Sequence, residues 1–376
     1  AERVFAKVAA ASGTDLLGLA CVAMGKEEPF GAGDPNYLGL CFVITCAIQL
    51  SSFAVAYSCS FDLITDFAGS MNFVLLGVGA ESRLLAPHGL RISCDGVGGY
   101  GECWLGALNR LTTIARRVSP HSQLLTLGLG GSYFDRQIAV TVMLVVSRAE
   151  LALFLLYRVC TRKKDARFDD TRNNFWKFLV FWIFQIFWVY LVSFPVIWVN
   201  SVTRVNPQLG PLDYIGIILW AVGFLAQLSS DFQKLLFRRD SSNKLKICKR
   251  GLWAYSRHPN YFGELAIWWG IFVVTVPVWL ESGEGNGWST IVSPLFTMLI
   301  LLFLSGMPTA EGQALKRYYT NGDAVKADYV AYRARTAPVI PCCPPVYEVL
   351  PSWFKCAFCC EFSRYTFKEE EEGIRL

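Results

Sequence analysis

Long apolar runs, each about the length needed to cross a membrane, recur along this chain. The least ambiguous is Phe175–Val199, which is loaded with Phe and Trp. Hydrophobic residues make up 53% of the 376 residues and charged residues only 17%, whereas a soluble domain usually carries about 25% charged residues. Because a backbone in lipid must satisfy its own hydrogen bonds, runs of this length are helical. The sequence therefore predicts an all-α, polytopic transmembrane helix bundle of about six to eight spans.

The predicted spans divide the chain into four regions. The seven predicted spans are Leu38–Tyr57, Asp62–Gly79, Gln137–Cys160, Phe175–Val199, Leu212–Ser230, Asn260–Leu280 and Ile291–Met307. We expect N-terminal membrane helices in residues 1–80, a Gly- and Arg-rich extramembrane insertion in 81–136, a transmembrane core in 137–341 and a Cys-rich, acidic tail in 342–376. Within the insertion, Cys94 and Cys103 would pair if the loop faced an oxidising lumen. Its glycine-rich stretch 96–102 follows no strand, which argues against a dinucleotide fingerprint.

The most informative polar stretch of the sequence runs from residue 251 to 269, where a basic loop enters an apolar helix. Pro259 suits the first turn of that helix. Asn260 and Glu264 are four residues apart and share one helix face. A carboxylate one turn into an apolar helix needs a partner. Two interpretations stay open, namely a local ion pair with Arg257 that orients the loop, or a polar site at the membrane boundary.

Residues 257–264 read Arg-His-Pro-Asn-Tyr-Phe-Gly-Glu. This octapeptide resembles the signature in the C-terminal domains of steroid 5-alpha-reductase-like membrane proteins, and it is closest to their DUF1295 branch. A looser form occurs in isoprenylcysteine carboxyl methyltransferases. Segments 305–311 and 329–341 resemble further motifs of the same branch. The resemblance implies a bundle of the reductase/methyltransferase type, and it does not choose between the two activities.

A polar stripe ends the helix before this signature. Gln227, Asp231, Lys234 and Arg238 fall on one helical face. One interpretation is a helix end whose long side chains reach solvent. The resemblance implies another, because related proteins use an Asp and a downstream basic residue here to contact the ribose and phosphates of a cofactor. That branch usually carries Glu where Gln227 stands, so an acid at this position is lost.

Charge placement gives an independent view of topology. Loops rich in Lys and Arg alternate along the chain with loops poor in both residues. This alternation predicts that the polar stripe and the signature lie on the same side of the membrane, the cytoplasmic side. Arg148 and Glu150 lie in the middle of a predicted span, and buried charges of this kind pair within the bundle.

The favoured functional hypothesis is a membrane-embedded, NADPH-dependent reductase of a carbon–carbon double bond in a steroid- or lipid-like enone or enoyl substrate. Tyr261 and Glu264 are the candidates for positioning and proton donation. The candidate cofactor-binding residues are Gln227, Asp231, Arg238, Arg257, His258, Asn260, Tyr329, Tyr332 and Arg335. In the 5-alpha-reductases the acid on the substrate side comes from an N-terminal helix, whose motif has no match here.

Two alternatives use the same fold. The first is a methyltransferase that binds S-adenosylmethionine in the same pocket, and the second is a non-catalytic membrane subunit of a larger complex. The expected partners are membrane lipid and a hydrophobic small molecule, with protein partners through residues 81–136 and the tail, and no nucleic acid. We expect an endoplasmic reticulum membrane, with the mitochondrial inner or thylakoid membrane as the alternative.

No metal is expected. The three histidines, His88, His121 and His258, are too few for a histidine-rich di-iron centre. The tail cysteines are open to two interpretations, zinc binding or lipid attachment beside aromatic residues.

Overall fold

A computed structural model of the chain describes residues 38–58, 69–70, 72–73, 134–162, 174–202, 207–282 and 286–362. Three predictions fall wholly or mostly outside these ranges. They are the span Asp62–Gly79, the insertion up to residue 133 with its two cysteines, and the acidic end of the tail from residue 363.

The regular structure of the described residues is helical. The α-helices are α1 (Leu38–Ser58), α2 (Asp135–Arg162), α3 (Phe175–Ser201), α4 (Pro211–Arg239), α5 (Pro259–Ser282), α6 (Val292–Leu299), α7 (Gly306–Tyr319), α8 (Asp323–Arg335), α9 (Pro344–Val349) and α10 (Ser352–Cys359). Among the described residues, six helical segments are long and apolar enough to cross a membrane. They are Cys41–Ser58, Asp135–Arg158, Phe175–Ser201, Pro211–Arg239, Pro259–Glu281 and Gly287–Tyr319. The prediction of an all-α, polytopic membrane protein is confirmed.

The chain divides into two compact units. The first contains α1, α2 from Leu151 onwards and α3 up to Tyr190. Its core is aromatic, since Phe53 of α1 packs against Phe178 and Trp182 of α3. Lipid tails give apolar helices no hydrophobic reason to associate, so close packing of this kind holds such spans together.

The second unit contains α2 up to Glu150, a short piece of α3, and the chain from α4 to the end of α10. Its centre is the antiparallel pair α4–α5, whose backbones meet at four glycines that we call the glycine seam (Gly216, Gly223, Gly263 and Gly270). A Cβ on Gly223 would lie 2.7 Å from the carbonyl oxygen of Gly263, and one on Gly216 would lie 2.7 Å from that of Gly270. Small residues thus bring the two spans into backbone contact, as is typical of membrane helices.

The last span of the second unit is broken. A π-helical segment, Ile300–Leu304, separates α6 from α7, and the N–H of Ser305 donates to the carbonyl oxygen of Ile300 at 2.9 Å. A Cβ on Gly306 would lie 2.5 Å from the carbonyl oxygen of Leu301, so a glycine is required at this point. Breaks of this type kink helices and are frequent at functional sites.

A buried ion pair anchors the start of α4. Arg136 Nε and Nη2 donate to the two carboxylate oxygens of Asp213 at 2.7 and 2.8 Å, and both side chains are fully buried. Arg136 Nη1 also donates to the carbonyl oxygen of Pro207 at 2.8 Å. The last residue of the predicted insertion is therefore a structural part of the second unit.

Candidate functional site

The loop before α5, which carries the signature, is fixed by the chain that follows α8. The N–H of Arg257 donates to the carbonyl oxygen of Ala337 at 2.8 Å. The hydroxyl of Ser256 donates to the carbonyl oxygen of Val339 at 2.8 Å. Residues 337–342, which we call the strap, thus hold the signature loop from a position about 80 residues later in the sequence.

The guanidinium of Arg257 is buried and surrounded by acceptors of the same chain. Its Nε lies 3.2 Å from Glu311 Oε1 and its Nη2 lies 3.1 Å from Glu361 Oε1. Its Nη1 donates to the carbonyl oxygens of Arg333 and Thr336, each at 3.3 Å. Burial alone would lower the pKa of Arg257, but the two carboxylates outweigh burial and hold it above its ordinary value.

His258 joins the same network. Its Nε2 lies 2.8 Å from Glu311 Oε1, and its ring stacks almost parallel on Tyr261 with 5.1 Å between centroids. Burial lowers the pKa of His258, the contact with Glu311 offsets only part of this, and the charges of Lys234 and Arg257 add to it. The imidazole is therefore neutral at neutral pH and donates its Nε2–H to Glu311.

Tyr261 links the signature to the break in the last span. Its hydroxyl donates to the carbonyl oxygen of Gly306 at 3.4 Å. One of the two predicted catalytic residues thus lies between the His258 ring and the π-helical break.

Glu264, the other predicted catalytic residue, forms its ion pair with Arg148 of α2 and not with Arg257. Arg148 Nη1 and Nη2 donate to the two carboxylate oxygens at 2.8 and 2.9 Å, and Trp268 Nε1 donates to Glu264 Oε1 at 2.8 Å. The guanidinium also lies 5.1 Å from the Trp268 ring centroid. The expectation that Arg148 pairs within the bundle is confirmed, and the contact has the two-bond geometry typical of strong arginine–carboxylate pairs.

Two amide oxygens of this region are buried without a hydrogen-bond donor. They belong to Gln227 of α4 and Asn260 of α5. Gln227 is only 3% exposed and packs on Gly263, whose Cβ position lies 2.7 Å from Gln227 Cβ. Asn260 lies one turn before Gly263 on the same helix. An unsatisfied buried acceptor costs about 1–3 kcal/mol, so this end of the glycine seam is suited to a ligand that brings hydrogen-bond donors.

Three more of the predicted cofactor residues, Arg238, Tyr329 and Tyr332, lie around the C-terminal end of α4. Arg238 Nη2 donates to the hydroxyl of Tyr318 at 2.8 Å, and the Tyr318 ring lies 4.8 Å from that of Tyr329. The hydroxyl of Tyr332 donates to the carbonyl oxygen of Trp253 at 2.7 Å. Burial raises the pKa of both Tyr329 and Tyr332, so these two phenols are neutral packing and hydrogen-bonding groups.

The last two predicted cofactor residues, Asp231 and Arg335, lie in different environments. Asp231 is half-buried on α4, one turn beyond Gln227. Arg335 lies on the exposed side of α8 and pairs with Glu348 at 3.1 Å, with both side chains more than half exposed. The structure therefore brings Arg257, His258 and Tyr261 together, and it places Arg335 in a separate surface pair.

Two acidic residues at the centre of the network were not among the predicted site residues. Glu311 contacts Arg257 and His258, with Arg333 at 3.6 Å. Its segment, 305–311, resembles a family motif, and an acid so near a span is the signal that singles it out in the sequence. Glu361 lies in the tail, where nothing in the sequence marks it as a partner of the signature.

The tail cysteines belong to no metal site in the part of the chain that the structure describes. Across those residues, no group of three or more His, Cys, Asp or Glu side chains is arranged to hold a metal ion. The zinc interpretation of the tail therefore finds no ligand set there.

Comparison with known proteins identifies the family. A family model described as "Protein of unknown function (DUF1295)" matches residues 118–336, more than half of the chain. The chain belongs to this family. One curated relative, "3-oxo-5-alpha-steroid 4-dehydrogenase 1" of Rattus norvegicus, is 33% identical over 92 residues. The match covers 24% of this chain and 32% of the relative, so the chain spans about a third of that protein's length. No solved structure matches the chain.

These matches confirm the resemblance to the steroid 5-alpha-reductase-like membrane proteins. The family match contains the polar stripe of α4, the signature and α8. It ends at residue 336, immediately before the strap, so both the strap and the Glu361 carboxylate that closes the Arg257 network lie beyond the family region.

Proposed function

We propose that the chain is a membrane-embedded reductase that uses NADPH to reduce a carbon–carbon double bond conjugated to a carbonyl in a steroid- or lipid-like substrate. The observation that carries the proposal is the pair of buried amide oxygens of Gln227 and Asn260 that lack donors. A nicotinamide dinucleotide offers the donors that they lack, namely ribose hydroxyls and the carboxamide N–H groups. The name of the rat relative, a dehydrogenase of 3-oxo steroids, supports this class of substrate.

Two arginines nearby, Arg238 and Arg257, differ in how accessible they are to the phosphates of such a cofactor. Arg238 is half-buried on the helix that carries Gln227 and Asp231, and a guanidinium in that position suits a phosphate. Arg257 is already engaged by Glu311 and Glu361, and a phosphate would reach it only if Glu361 left. We therefore assign phosphate binding to Arg238 and assign Arg257 to holding the signature loop.

The two catalytic candidates take different roles in this proposal. When bound, NADPH would supply the hydride for the β-carbon of the conjugated carbonyl. Tyr261 is a neutral acid beside the His258 ring, and we assign it the proton that reduction of the double bond requires. Glu264 receives three hydrogen bonds from Arg148 and Trp268, so we assign it the positioning of α5 beside the cofactor and not proton donation.

The test is ligand-dependent thermal stability of the detergent-purified full chain, with NADPH, NADH and S-adenosylmethionine titrated separately. A ligand that binds only the folded state adds about 2.7 kcal/mol at a hundred times its Kd. We expect a saturable rise in Tm with NADPH that is lost in Gln227→Leu and in Asn260→Leu. The matched control is Gln313→Leu, which removes an exposed amide on α7 and should keep the rise.

The other outcomes select the alternatives. A saturable rise with S-adenosylmethionine and not with NADPH would replace the reductase by the methyltransferase. No rise with any of the three ligands, in a protein that unfolds cooperatively, would overturn the cofactor assignment and favour the non-catalytic subunit.

A further inference from the structure

The two short helices of the tail carry an apolar face that no described part of the chain covers. Val349 at the end of α9 is 79% exposed, and Trp353 on α10 is 67% exposed. Val346 and Phe358 are also more than half exposed, and Cys356 and Ala357 lie exposed on α10 between the two aromatic residues. We call Val346, Val349, Trp353, Cys356, Ala357 and Phe358 the tail face.

The opposite side of these helices is packed and specific. Tyr347 and Cys359 are buried against Ala337 of the strap, with Phe354 packed beside them. The hydroxyl of Tyr347 donates to Glu361, whose other carboxylate oxygen accepts from Arg257. The tail helices are therefore held firmly in one orientation, and the apolar tail face is presented outward by folded structure.

The chain that follows the tail face packs on the π-helical break of the last span. Phe362, which follows α10, lies 5.0 Å from Phe303 of the π-helical segment, centroid to centroid. Both Phe362 and Cys360 pack against a buried cluster that contains Leu302 and Met307 of that span. Next to Phe303, Leu304 is 55% exposed on the side of a segment that crosses the membrane. The end of α10 is thus packed against the last span, next to an exposed apolar residue of that span.

The composition of the tail face suits the boundary between headgroups and acyl chains. Trp is favoured at this depth because its indole combines an apolar body with a polar N–H, and Phe is typical of the apolar face of interfacial helices. Short amphipathic helices with one apolar side lie in the plane of the interface and bury that side by a few ångströms. A contiguous apolar face of this kind in water would be an aggregation hazard.

We propose that the tail face is a membrane-surface element, and that its occupant is the interfacial layer of the same bilayer that the spans cross. Lipid covers α9 and α10 from outside, and the strap and Tyr347 hold them from inside. Because Glu361 is tied to Tyr347, seating the tail on lipid also holds the carboxylate that faces Arg257. This role is independent of the ligand bound at the glycine seam.

Site-specific photocrosslinking tests the proposal. The photoreactive residue p-benzoylphenylalanine replaces Phe358 in one variant of the full chain and Trp353 in a second, each reconstituted into phosphatidylcholine/phosphatidylglycerol vesicles. A third variant carries it at Leu299, which is exposed on the last span, as the lipid-facing reference. A fourth carries it at Ala324, exposed on the polar helix α8, as the water-facing reference. Irradiated protein is read out by intact mass.

We expect the mass of one phospholipid to be added at positions 353, 358 and 299, and not at 324. Adducts at 353 and 358 that contain a second copy of the chain or another protein would overturn the proposal in favour of a protein interface. Lipid adducts at 299 with none at 353 or 358 above the level at 324 would overturn it as well. Thermal unfolding of each variant before reconstitution verifies that the strap region is folded.

Discussion

At the scale of single residues, the second unit depends on a few charged side chains that lie inside apolar helices. Arg148 is fully buried and Glu264 is 12% exposed, so water stabilises neither charge well and each depends on protein groups, above all on the other. Removing one partner of a buried pair typically costs about 3–5 kcal/mol, because the remaining charge is left alone, whereas replacing both by apolar residues is often close to neutral.

We therefore predict that Arg148→Met and Glu264→Met each lower the Tm of the purified protein strongly, and that the double variant recovers most of the loss. The matched control is Arg335→Met, which breaks the exposed pair with Glu348 and should change Tm little, as surface pairs do. The measurement is a double-mutant cycle of detergent-solubilised melts. Additive losses in the double variant would contradict a tight pair at this position.

At the scale of elements, the contact of α4 with α5 depends on the absence of side chains at the glycine seam. A Cβ on Gly263 would lie 2.6 Å from the carbonyl oxygen of Gly223. Because that atom is backbone, the helices must separate to admit a methyl group, and overpacking of this kind costs about 1–3 kcal/mol. Separation would also move Gln227, whose Cβ lies 2.7 Å from the Cβ position of Gly263, away from α5.

Gly263→Ala is therefore expected to lower Tm and to weaken the NADPH-dependent rise proposed above. Gly312→Ala is the matched control, since a Cβ at Gly312 of α7 meets nothing within 4 Å. There alanine should stabilise the helix by about 0.5–1 kcal/mol through backbone entropy and helix propensity. We expect thermal unfolding to show a lower Tm for Gly263→Ala and a higher Tm for Gly312→Ala. An unchanged Tm in Gly263→Ala would show that the seam tolerates a methyl group.

The elements were predictable from the sequence where the signal is local. Apolar length places α1, α3 and α5 to within a few residues, because a span has to match the bilayer. The motif identified the signature loop. The pairing of Arg148 within the bundle was predictable because an unpaired charge in lipid costs free energy. The features that the sequence did not predict depend on contacts between distant parts of the chain.

The partner of Glu264 illustrates this limit. The sequence suggested Arg257, seven residues away, as the ion-pair partner of Glu264. In the structure the partner is Arg148, 116 residues earlier. The role of Glu361 depends on the strap, which carries no motif of its own. The broken last span was also missed, because residues 300–304 are uniformly apolar and a π-helical segment leaves no mark in hydropathy.

At the scale of the whole molecule, the region outside the spans contains three tyrosines whose burial raises the pKa of each phenol above its ordinary value. They are Tyr329, Tyr332 and Tyr347, and for Tyr347 the hydrogen bond to Glu361 acts in the same direction. An unfolded tyrosine ionises near pH 10. Above that pH the unfolded chain releases protons that the folded chain retains, so the free energy of unfolding falls as pH rises, by about 1.4 kcal/mol per pH unit for each such phenol.

We predict an alkaline loss of stability that begins near pH 10 and accompanies a cooperative appearance of tyrosinate in the ultraviolet spectrum. Tyr347→Phe should make the decline of Tm with pH shallower, because one of the three buried phenols is gone. Tyr255→Phe removes the hydroxyl of an exposed tyrosine and is the matched control, for which we expect an unchanged slope. If tyrosinate formed gradually while Tm stayed level, the three phenols would be solvated in the native protein. The packing of α8 and α9 around the signature loop would then differ from the one described above.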